Sequence, residues 1–116
     1  MSYSKTLRIF RTFSPDEWKD FGKFLASPFH NSNKRILALY YLLNRYYPEF
    51  DNPKLEREAL FYKLFDEGRA FDSKIMSALT SGLQKITHEF LVIQLIRDDD
   101  FFKKKSYINY FKMVYI

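Results

Sequence analysis

The 116-residue sequence contains no cysteine, which excludes a disulfide framework, a thiol nucleophile and any zinc site built on sulfur. That lack fits a reducing compartment, and the cytoplasm is the expected location. Glycine and proline are scarce, three and four residues respectively, whereas a β-sandwich or barrel normally needs more turn punctuation. The glycines are also isolated from one another, so no phosphate-cradling loop or nucleophile elbow can be built from them. Long apolar runs are missing too. The longest, Ala38 to Leu43 and Phe90 to Ile93, fall far short of the roughly 20 residues needed to span a bilayer. Arg8 and Arg11 stand where the uninterrupted apolar stretch of an export signal would lie, so neither export nor membrane insertion is expected.

What the chain does have is apolar and aromatic mass. Hydrophobic residues make up 47% and aromatics 20%, enough for one folded domain over residues 1–116. The formal net charge is +5 with a pI near 9.4, which suits nucleic acid or an acidic partner without selecting either. The excess is dilute: residues 1–50 hold eight Lys/Arg against four Asp/Glu, and residues 51–116 hold eleven against ten.

Helix starts are written clearly. Leu7, Phe10 and Phe13 recur at helical spacing in an opening segment from Ser4 to Phe13. In FSPDEW, Ser14 can cap, Pro15 suits the first helical position, and Glu17 can close a capping box, with Phe13 and Trp18 placed as a hydrophobic staple. The spacing predicts helices near 15–27, 33–47, 53–66 and 72–97. Pro28 and Pro48 end the first two, Asn31, Ser32 and Asn33 can each cap the second, Asn52 and Asp72 cap the next two, and Gly68 stops the third. No charge occurs between Lys74 and Lys85, which places the longest helix centrally. Gly82, with Ser77, Ala78 and Ser81 nearby, predicts close approach by a neighbouring helix. Tyr107, Ile108, Phe111, Val114 and Tyr115 trace a last amphipathic helix, about 101–116, whose pattern is still running where the sequence stops, as in a truncated or docking helix. The fold class is therefore all-α, a compact bundle of about five helices of the kind that also opens longer helical arrays.

The succession FSPDEW, FLASPFHN, a leucine-rich helix, ALFYKLF and a long helix ending THEFLV resembles the N-terminal region of a group of uncharacterised helical proteins from Bacteroidetes-type bacteria, over about residues 4–97. The resemblance implies further helices after this region. It implies no assigned activity and transfers no catalytic residue.

The chemistry-bearing residues do not assemble into a catalytic or metal-binding pattern. His88-Glu89 starts like a zincin helix, but Val92 stands where the second histidine belongs. His30 reads as a polar turn residue. Asp98, Asp99 and Asp100 lack the alternating ligands, glycine and closing glutamate of a calcium loop; as the start of a helix they form favourable pairs with Lys103 and Lys104. No metal, cofactor or enzymatic activity is expected. The expected role is a non-enzymatic helical protein-interaction module, docking a protein partner or itself through Tyr107, Ile108, Phe111, Val114 and Tyr115. The alternative is a small basic DNA- or RNA-binding domain. It would use Lys103, Lys104 and Lys105 beside stacking aromatics, or Lys74, Ser77, Thr80, Ser81, Gln84 and Lys85 along the long helix. Most aromatics, however, fall on apolar helical stripes, where core burial accounts for them.

Overall fold

In the computed structural model, which describes residues 3–65 and 68–97, the opening apolar stripe forms α1, Tyr3–Arg11. The amides of Thr12 and Phe13 then fold back onto Ile9 and Phe10. The FSPDEW signal closes as a complete capping box. The Glu17 amide donates to Ser14 Oγ at 3.1 Å and the Ser14 amide donates to the Glu17 carboxylate at 2.9 Å, starting α2, Pro15–Ala26. Phe13 and Trp18 meet across this start with ring centroids 6.4 Å apart. Asn33 accepts from the amides of Arg35 and Ile36 to start α3, Lys34–Asn44. Next come α4, Arg57–Leu64, and α5, Ser73–Arg97, the latter capped by Asp72 through the amides of Lys74 and Ile75. The described residues contain five α-helices and no strand, and the fold is all-α.

Three boundaries differ from the spacing prediction, each for a tertiary reason. The helix expected to reach residue 47 ends at Asn44. Tyr47 leaves the helix to stack on Trp18, 5.1 Å away and 5° from parallel, and the residue before a proline is disfavoured in helical geometry. The helix expected over 53–66 is broken. Asn52 and Pro53 do start a turn, but it is a 3₁₀ turn, Pro53–Leu55, and extended Glu56 separates it from α4. Leu55 and Leu60, both buried, would lie about 140° apart on one continuous helix; the break lets both face the core. Gly68 does adopt left-handed φ, at 71°, yet α4 has already ended at Leu64. Phe65 turns away to stack on Phe61 at 4.6 Å beneath the Arg35 guanidinium, 4.0 Å from the ring centroid. Arg35 Nη1 donates to the Leu64 carbonyl at 3.0 Å, satisfying one of the acceptors a helix end leaves open.

Helix α5 packs against α1, α2 and α3, and α3 packs against α2, α4 and α5, so these two helices carry the core. Phe10, Phe21, Leu39, Leu43, Leu60, Phe61, Met76 and Leu83 are fully buried, each large side chain contributing about 1.5–3 kcal/mol on leaving water. The close approach at Gly82 is present: a Cβ there would stand 2.9 Å from Ile36 Cδ1. Ser77, Ala78 and Ser81 take no part in it. They lie exposed, with Ser77 Oγ receiving the Arg57 guanidinium at 2.6 Å, so α5 is central but keeps one open stripe. No described helix is long and apolar enough to cross a membrane.

A second close approach is testable. A Cβ at Gly22 would fall 2.5 to 2.8 Å from the Tyr40 hydroxyl and ring. Tyr40 cannot retreat easily, because its ring lies 4.6 Å from Trp18 and its hydroxyl donates to the Trp18 carbonyl at 2.8 Å. Gly22→Ala should therefore lower stability by about 1–3 kcal/mol in urea unfolding, although alanine is the better helix former by about 1 kcal/mol. A stabilised variant would contradict this packing. Ser14→Ala should lower stability by about 1 kcal/mol through loss of the cap.

Candidate interaction surface

Pro28 imposes an extended Ser27, at φ −77° and ψ 118°, and so terminates α2. The turn that follows is held by buried Asn31. Its Nδ2 donates to the Leu25 carbonyl at 2.9 Å and to the Asn33 carbonyl at 3.2 Å, while its Oδ1 accepts from the Asn33 amide at 3.0 Å. With the backbone so fixed, the His30 ring lies flat on Phe24, centroids 4.1 Å apart and 12° from parallel. Phe29 is left projecting into solvent at 92% exposure, its ring edge-on to His30 at 5.3 Å.

Opposite this turn lies the second half of α5. Phe90 is buried against Phe13, Phe21 and Phe24 at 5.9, 5.2 and 5.5 Å, and half-buried Ile93 sits one turn further along. An open cleft of about 320 Å³ separates Asp20, Lys23 and Phe24 of α2 from Phe90, Ile93 and Gln94 of α5, with His30 at its edge. On its outer side α5 also exposes two aliphatic residues, Val92 at 40% and Ile96 at 76%, on the same face as Lys85 and Glu89. Phe24, Phe90 and Ile93 supply the apolar part of the cleft lining, with Phe29 next to His30 outside its edge. Asp20, Lys23 and Gln94 supply a polar rim of mixed charge. Aromatic and aliphatic side chains set among polar ones are a common composition of protein-binding surfaces.

The residues nominated from sequence are distributed differently. Tyr107, Ile108, Phe111, Val114 and Tyr115 lie outside the described residues, as do Lys103, Lys104, Lys105 and the run Asp98 to Asp100. The two histidines do not share a site: His30 is at the cleft edge, and His88 is buried on α5, where burial lowers its pKa. No group of three or more His, Asp or Glu among the described residues could hold a metal ion. The groove-facing set on α5 is split, because Thr80 is buried and donates to the Ser77 carbonyl at 3.1 Å, while Ser81 and Lys85 face outward. A further depression of about 410 Å³ beside Phe65 is lined by Tyr62, Gly68, Arg69 and Ala70. Sequence reasoning passed over Phe29, Val92 and Ile96. The available signal was that each is a large apolar residue outside the helical stripes assigned to the core.

These apolar residues divide into a floor needed for folding and a surface that is not. Phe90→Ala should destabilise the domain by about 3–5 kcal/mol, whereas Phe29→Ser and Ile96→Ser should each stay within about 0.5 kcal/mol of wild type. Thermal unfolding would measure both. A large loss from Phe29→Ser would mean that the ring is core rather than surface. The chain matches no family model, no curated protein and no solved structure.

Proposed function

We propose that the chain is a non-enzymatic helical protein-interaction module that receives an amphipathic helix along the α2–α5 cleft. The observation that carries this reading is Phe29, 92% exposed on a turn held by three Asn31 hydrogen bonds and edge-on to His30, which lines the cleft. With the backbone of the turn already ordered, burying this large apolar side chain against a partner adds only the side chain's own ordering cost. An amphipathic helix presenting apolar residues at i, i+3 or i+4, and i+7 is the partner chemistry that suits Phe24, Phe90 and Ile93. Kinship with the Bacteroidetes-type helical proteins belongs to the same proposal, since a module followed by further helices would present such segments.

Charge supports nucleic-acid binding less well. The outward face of α1 carries Lys5, Arg8 and Arg11, but Arg11 directs its guanidinium to the carbonyls of Glu49 and Phe50 at 2.7 and 3.4 Å.

Selection of displayed amphipathic peptides on the purified chain tests the proposal. The expected peptides carry helical apolar anchors, bind with little dependence on salt, and lose about tenfold or more in affinity when Phe29→Ser is combined with Ile93→Glu. Failure to select any peptide, or binding indifferent to both substitutions, would overturn it. So would submicromolar binding to single-stranded RNA or DNA that weakens steeply with salt and is abolished by Lys103, Lys104 and Lys105 to alanine.

A further inference from the structure

We infer that the exposed outer stripe of α5 is a self-association face, on which a second copy of the chain packs antiparallel about a two-fold axis level with Thr87. This stripe lies on a different side of α5 from the cleft, so the inference goes beyond the docking reading and does not rest on it.

The stripe is continuous. Ala78, Ser81, Lys85, Glu89, Val92 and Ile96 are all exposed, and at 3.6 residues per turn they fall within about 80° of one another around the helix. The first half is small and uncharged. Small residues permit close approach of another helix; within the chain that approach is made at Gly82, against Ile36, while Ala78 and Ser81 stay open to solvent. The last turns have the opposite character, with the large aliphatic side chains of Val92 and Ile96 in water. One helix thus presents small residues at one end and large ones at the other, with a lysine and a glutamate between them. Such a surface complements itself when reversed, which is what an isologous two-fold interface requires.

Charge selects the register. With the axis level with Thr87, Lys85 of each copy faces Glu89 of the other, so the same ion pair forms twice. Ile96 then falls level with Ala78 of the other copy, and Val92 level with Gly82, beside Ser81, so that large side chains cover small ones at both ends. Moving the axis to Lys85 or to Glu89 sets that residue against itself, and a parallel two-fold pair does so at both positions; like charges brought together oppose association. An axis between Val92 and Ile96 joins the aliphatic residues over the last turns alone and leaves the small residues uncovered. Pairing within one helix is the weaker option, because a lysine four residues before a glutamate is the poorer orientation of such a pair. A contact made by one helix from each copy lies at the small, transient end of interface sizes, so dimerisation is expected at roughly 0.1 mM.

Sedimentation equilibrium of the full chain, over a concentration series from about 10 µM to about 1 mM, tests this by mass action. The expected result is a monomer that passes to a dimer and no further. Glu89→Lys and Lys85→Glu should each weaken dimerisation about tenfold or more, since each sets like charges in both contacts. Mixed in equal amounts, these two variants should associate about tenfold or more tightly than either does alone, because a copy with two acidic residues then faces a copy with two basic ones. Ile96→Asp should also weaken the dimer. At micromolar concentration all three variants should melt with wild type; a variant that melts well below it would mark its residue as part of the fold and count against the interface. A wild type that stays monomeric throughout the series would overturn the inference, and so would growth beyond the dimer. A dimer indifferent to both charge variants would overturn it as well, placing the contact on another face. Mixed variants no tighter than their components would contradict the antiparallel pairing.

Discussion

The stack of Trp18 on Tyr47 is the contact from which the other helices take their positions. The indole is almost wholly buried, and a buried indole N–H needs a partner; Nε1 donates to Asn44 Oδ1 at 2.7 Å. The backbone carbonyl of the same residue accepts from Tyr40, while Tyr47 donates its hydroxyl to the Phe13 carbonyl. One residue of α2 thereby fixes the second half of α3, the turn that follows it and, through Tyr47, the junction after α1. Phe50 joins with its ring 5.4 Å from Trp18, at a left-handed φ of 50°. That conformation is strained for a residue with a bulky side chain, and it persists because ring burial and the Arg11 hydrogen bonds to the Glu49 and Phe50 carbonyls hold it. Through Phe10, Phe13 and Phe21 the same cluster reaches Phe90 on α5.

This placement links stability to function. The floor of the cleft is Phe24 and Phe90, both packed into the aromatic cluster, so the groove is held open by the core rather than by a loop. Preorganisation of that kind lowers the ordering cost of binding. Phe29 and Ile96, by contrast, are exposed to solvent and take no part in that core.

Local physics made much of the fold legible in the sequence. Ser14, Asn33, Asn52 and Asp72 each cap through their own side chains, and the apolar period of Trp18, Phe21, Phe24 and Leu25 marks the buried face of α2. The misses came where a distant contact overrode a local preference. Tyr47 quits α3 for Trp18, 29 positions earlier in the numbering, Glu56 interrupts a helix to turn Leu55 inward, and Phe65 leaves α4 for Arg35. The cleft was illegible for a related reason. Phe24, His30 and Ile93 become neighbours only when α2 and α5 pack together, and no short motif records that pairing. The amphipathic segment 101–116 was visible by its period, but a period does not name the surface that receives it.

The central claim, that an apolar groove between α2 and α5 receives a helix, is tested most directly by methyl-labelled NMR of the full chain titrated with a selected amphipathic peptide. Ile93 lines the cleft and exposed Ile96 lies close by on α5, whereas buried Ile9 and Ile36 report on the core. The account predicts that the Ile93 and Ile96 δ1 resonances shift first and furthest, with Ile36 unmoved. Shifts centred on Ile9 or Ile36, or peptide binding that leaves Ile93 and Ile96 unchanged, would contradict it.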